Sequence, residues 1–100
     1  MEETVTIECK MSGHTALNCQ QLANRLRGIV RGDYNIAVSI AGPGGVVDDA
    51  VKGLEVATLG IGPNCGFKFT LRGKQQDLLA IQASFMHMLE ELCILPSSAS

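Results

Sequence analysis

Apolar and polar side chains alternate strictly from Thr4 to Met11. Val5, Ile7, Cys9 and Met11 fall on one side, and Thr4, Thr6, Glu8 and Lys10 on the other. That pattern predicts a strand with one buried and one wet face. Ser12-Gly13-His14 breaks it, and from Ala16 the period becomes helical, with Cys19, Leu22, Ala23, Leu26, Ile29 and Val30 at three- and four-residue steps. Thr15 is the predicted N-cap, and the helix is expected to end at Val30–Arg31, before Gly32-Asp33. Ile36, Val38 and Ile40 alternate in a second strand, and Ala41-Gly42-Pro43-Gly44-Gly45 reads as a turn. Val46-Val47 allows a short edge strand, and Asp48 and Asp49 are placed to cap a short helix through Ala57. Residues 58–64 read as a loop, and Phe67, Phe69 and Leu71 alternate with Lys68, Thr70 and Arg72 until Gly73 ends the strand. A long helix is predicted over residues 75–93, with Leu78, Ile81, Phe85, Met88 or Leu89, and Leu92 as its stripe. Pro96 is expected to stop it.

The predicted order is β-α-β-β-α-β-α. Each clear strand has one apolar face, which calls for an α+β fold with helices on one side of the sheet and water on the other. One domain is expected over residues 1–95, with residues 96–100 as a loose tail.

Composition narrows the function classes. The 100 residues carry 8 Lys+Arg against 10 Asp+Glu, and only four are aromatic, counting 1 Tyr, 3 Phe and 0 Trp. That balance argues against a surface that tracks nucleic-acid phosphates. No apolar run is long enough to span a membrane, and residues 1–11 alternate rather than form a secretory signal. Cys9, Cys19, Cys65 and Cys93 have no C-x-x-C spacing, so reduced thiols in a cytoplasmic protein are expected. Cys9 and Cys19 read as small core residues.

Candidate chemistry centres on His14, in the break between the first strand and the first helix. A helix N-terminus offers free N–H groups, and an imidazole beside them can hold a phosphoryl group. The bland reading is a solvated loop histidine. His87 lies about 200° around its helix from Phe85 and is expected to face solvent. Gly42-Pro43-Gly44-Gly45 lacks a phosphate-loop pattern. Phe67 and Phe69 read as core rather than as base-stacking residues. His14 with Cys9 and Cys19 is a weak metal-ligand set, because both cysteines are expected to point inward.

The element order, Gly13-His14-Thr15 at the first helix and the block Asp49-Ala50-Val51-Lys52-Gly53-Leu54-Glu55-Val56-Ala57-Thr58-Leu59-Gly60 resemble HPr over residues 3–93. HPr is the histidine-containing phosphocarrier family of the bacterial sugar phosphotransferase system. The resemblance implies an open-faced β-sandwich with a four-stranded antiparallel sheet and three helices on one face. It implies His14 as phosphoryl acceptor, or Thr15 at that place in an ungapped register, with the backbone of Thr15, Ala16 and Leu17 holding the phosphate. The family's Arg and Pro after the histidine are replaced by Ala16 and Leu17, and Lys52 stands where its regulatory serine would be. Leu54 and Ala57 match the family's apolar docking patch. The implied partners are an Enzyme I-like donor and a sugar-specific or regulatory acceptor. The carrier is expected to be a cytoplasmic monomer without cofactor, metal, nucleic acid or membrane, and not an enzyme in its own right. The alternative is an HPr-like regulatory or interaction module that is not phosphorylated.

Overall fold

A computed structural model of the chain describes residues 2–30 and 34–99. The expected turn at Gly32-Asp33 lies outside the described residues. The structure is α+β, with a five-stranded antiparallel sheet and three helices. In chain order the elements are β1 (Glu2–Met11), α1 (Cys19–Ile29), β2 (Ala37–Gly42), β3 (Gly45–Val47), α2 (Gly53–Ala57), β4 (Gly66–Lys74), α3 (Gln75–Glu91) and β5 (Ile94–Ala99). The strands lie side by side in the order β3-β2-β4-β1-β5.

Alternation sets the register. Val5 pairs with Leu71, Ile7 with Phe69 and Cys9 with Phe67, so the apolar residues of β1 and β4 share one face. Val38 and Ile40 join them from β2, opposite Leu71 and Phe69. The helices cover this face with Leu22, Ala23 and Leu26 from α1, Val56 from α2, and Ile81, Phe85, Met88 and Leu89 from α3. Fully burying a side chain of that size stabilises by roughly 1.5–3 kcal/mol. Phe69 meets Phe85 edge-on at 5.3 Å, which ties β4 to α3, and meets Phe67 of its own strand at 5.5 Å. No helix of the described residues is long and apolar enough to cross a membrane.

Three expectations about the sheet need correction. The sheet has a fifth strand where a stop at Pro96 and a loose tail were expected. α3 ends earlier, at Glu91, with Leu92 as its C-cap, and Cys93 turns the chain back at φ 61. Ile94 then enters the core at 1% exposure. Pro96 lies opposite Cys9 beside a register shift in an edge strand, where its missing N–H is tolerated. Second, β4 runs through Gly73 to Lys74. A Cβ on Gly73 would sit 2.9 Å from the Asn35 carbonyl oxygen, so the glycine admits a crossing backbone rather than ending the strand. Third, β2 includes Ala41 and Gly42, which leaves Pro43-Gly44 as the turn.

Phe85→Ala is expected to lower stability by about 3–5 kcal/mol, because the ring is almost fully buried and its neighbours cannot close around the void. A urea midpoint unchanged from wild type would show that the Phe69–Phe85 contact does not hold α3 to the sheet.

Candidate functional site

The end of β1 sets the geometry around His14. The Met11 N–H donates to the Cys65 carbonyl at 3.0 Å, and the Ser12 N–H donates to the Cys93 carbonyl at 3.1 Å. The Ser12 carbonyl accepts from Asn64 N–H at 3.3 Å and from Thr15 N–H at 3.5 Å. Asn64 (φ 62) and Cys93 (φ 61) are the two non-glycine residues with left-handed backbone among those described. Both therefore hydrogen-bond to the same residue, Ser12, from opposite sides. Asparagine enters that region more readily than most side chains, whereas cysteine is less common there. A Cβ on Gly13 would lie 3.3 Å from the Asn64 side-chain oxygen, so the turn has little room to swell. His14 follows on this pinned turn and is exposed.

The first helix starts later than its periodicity suggested. Its N-cap is Asn18, not Thr15, and the Asn18 side-chain oxygen accepts from Gln21 N–H at 3.0 Å. His14 therefore lies four residues before the cap rather than on it. Of the three amides assigned to the phosphate, Thr15 N–H is bonded to Ser12, and Leu17 N–H donates to the Ile61 carbonyl at 3.1 Å. Leu17 is buried at 8% exposure, whereas Ala16 is exposed. Thr15, the other register's candidate, is half-buried and also outside the helix. The reason is local. Asn caps more strongly than Thr, and Asn18-x-x-Gln21 resembles a capping box, a signal present in the sequence. The cations of α1 are directed elsewhere: Arg25 to Glu91 at 3.4 Å, and Arg27 to the Val51 carbonyl at 3.1 Å.

The second helix brings a different surface to the same region. A Cβ on Gly53 would sit 3.1 Å from the Cys19 carbonyl oxygen and 3.5 Å from the Ala23 side chain, so α2 starts hard against the first turns of α1. Val56 is fully buried under it, while Leu54 is 88% exposed and Ala57 is exposed. Lys52, at the N-cap of α2, makes no side-chain capping bond. Asp49 does not cap this helix; its carboxylate accepts from Val51 N–H at 3.1 Å. The sequence placed Leu54 and Ala57 on one patch through the family resemblance alone, and the structure exposes both.

The set of His14, Cys9 and Cys19 is not brought together. Cys9 points into the core from β1, and among the described residues no three His, Cys, Asp or Glu side chains converge on a metal-sized site. His87 is exposed and pairs with Glu91 through Nε2 at 2.6 Å. All four cysteines are free thiols. Burial pushes the Cys9 thiol from its ordinary 9.0 to about 11, and burial likewise raises Cys19, partly offset by a backbone hydrogen bond.

The folded chain holds the Cys9 proton to higher pH than the unfolded chain does. Its contribution is thus intact below about pH 9 and is lost as pH rises toward 11, by about 2–3 kcal/mol at full ionisation. Cys9→Ala is expected to flatten the fall in urea midpoint across that window. An identical slope in the variant would remove the buried thiol as its cause.

No family model matches this chain, and neither the curated proteins nor the solved structures contain one significantly similar to it.

Proposed function

We propose that this chain is an HPr-like protein-docking module of the cytoplasm. It engages a phosphotransferase-type or regulatory protein through α2 and the adjoining turn, and not through a phosphorylated histidine. One observation carries the reading. The helix end that would hold a phosphohistidine is capped by Asn18, with the Thr15 and Leu17 amides already bonded, while Leu54 stands 88% exposed beside it on α2. The order β-α-β-β-α-β-α over β1 to α3 supports the HPr likeness, to which β5 is an addition. Four free thiols suit a reducing compartment. An apolar side chain held in water on a helix packed against α1 is the kind of anchor that a partner's pocket desolvates. The module does no chemistry of its own in this reading.

A second reading keeps His14 as a phosphoryl relay between an Enzyme I-like donor and an acceptor. Its support is the exposure of His14 on a turn pinned at Ser12.

Incubation with Enzyme I and phosphoenolpyruvate, followed by intact mass and a binding titration, separates the two. The docking reading expects no acid-labile phosphoryl group. It also expects binding unchanged in His14→Ala and weakened about tenfold or more in Leu54→Glu. A phosphoryl group present in wild type and absent in His14→Ala would establish the relay instead. Binding indifferent to Leu54→Glu would remove α2 as the docking surface.

A further inference from the structure

The backbone of β1 is satisfied on one side along its whole length and on the other along only half. Its pairing with β4 runs without a break from Glu2 to Lys10, but among the described residues its pairing with β5 covers Ile7–Met11 alone. The direction of each N–H follows from two bonds at the strand's end. Met11 N–H points to the β4 side and Ser12 N–H to the β5 side. In an unbulged antiparallel strand these directions alternate. Glu3 and Val5 therefore bond inward to β4, while Glu2, Thr4 and Thr6 present their N–H and C=O groups to an edge that no described strand covers.

A groove of about 370 Å³ opens between this half of β1 and α3. Val5, Ile7, Leu79 and Met86 line its apolar part, Gln82 is among its polar residues, and Glu3 comes from β1. Leu79 is 62% exposed. Glu3 has no ion-pair partner among the described residues.

We propose that this slot takes an extended segment of a partner protein, added antiparallel to β1 at Glu2–Thr6. The segment carries an apolar side chain opposite Val5 and a Lys or Arg two residues later, opposite Glu3. The outward amides and carbonyls of Glu2, Thr4 and Thr6 supply the ladder that any added strand uses. Side-chain parity supplies the choice of sequence. Only the positions opposite Val5 and Glu3 point into the groove, one against an apolar wall and the other against a carboxylate. A second copy of this chain fits that pattern poorly. With Thr4 opposite Thr4, it would set Glu3 against Val5 in the apolar part and bring the two Glu3 carboxylates diagonally together. The slot is separate from the α2 surface and does not depend on whether His14 carries phosphate.

The probe is the acetylated, amidated peptide Thr-Ile-Thr-Lys-Thr, titrated into the isotope-labelled chain and followed by amide and methyl NMR. Shifts are expected at Thr4, Thr6, Leu79 and Met86. The peptide with Glu in place of Lys is expected to bind about threefold to fivefold more weakly, and Glu3→Lys is expected to reverse that preference. Thr4→Pro is expected to abolish binding while keeping the β4 ladder, because that N–H faces outward. If Thr4→Pro fails to fold, the Glu3→Lys reversal still decides. No shifts at millimolar peptide, equal affinity for both peptides, or shifts elsewhere would overturn the proposal. Self-association of the free chain through the same residues would overturn it in favour of a second copy.

Discussion

The register of β1 is the constraint on which the other features rest. Its odd-numbered residues from Val5 to Met11 turn toward the core, and its even-numbered ones toward water. The same parity sends the odd backbone groups to β4 and the even ones to the opposite edge. A slip of one residue would exchange both sets at once, exposing Ile7, Cys9 and Met11 and pulling Thr6, Glu8 and Lys10 inside. Three side chains of that kind are worth several kcal/mol, a large share of a small domain's stability. The register is therefore strongly held, and with it the place where β1 ends and the chain turns at Ser12.

That turn explains why the helix begins where it does. Starting α1 at Thr15 would release the Leu17 N–H from the Ile61 carbonyl and rotate a buried Leu17 out of its site. The loss would be roughly 1.5–3 kcal/mol for the side chain alone, against about 1 kcal/mol for a typical N-cap. Asn18 supplies a cap without that loss. The segment 12–17 is thus an irregular connection held at Ser12 by Asn64 and Cys93 and at Leu17 by Ile61, and His14 rides on it in water. The same helix start abuts α2 at Gly53, and the exposed Leu54 follows that contact directly.

What the sequence revealed follows from how each element earns its shape. β1, β4 and α3 show long periods because each presents a full face to the core. The pattern picks out Ile7, Cys9, Met11, Phe67, Phe69, Leu71, Ile81 and Phe85 among their buried residues, whereas Leu78 is half-buried and Met88 and Leu89 are both buried. β5 has no such signal. Among its described side chains it buries one apolar residue, Ile94, followed by exposed Leu95, a proline and Ser97, and the far end of β1 offers it an edge. Gly73 looked like a terminator because the reason for it, the backbone of Asn35 crossing β4, is distant in sequence. At the site, Leu54 and Ala57 were legible by resemblance. The displacement of His14 from the helix end is legible only in part, because Asn18-x-x-Gln21 marks the later cap but the Leu17–Ile61 bond that holds the connection is distant in sequence.

Charge on the open face of the sheet leaves the proposed docking to apolar spots. Lys68, Arg72 and Lys74 project from β4 as a cationic stripe, interrupted by Thr70. The register sets Glu8 opposite Lys68 and Glu2 opposite Lys74, and Arg72 reaches Glu2 at 4.0 Å. Such exposed pairs add little stability, about 0–1 kcal/mol each. Their larger effect is to break up the field, because each cation meets a carboxylate on the neighbouring strand within a screening length. A chain of anionic groups laid along β4 would meet alternating sign rather than a continuous track. The recognition strength left to this molecule then lies in surface that water solvates poorly, the Leu54 side chain on α2 and the groove beside the free half of β1.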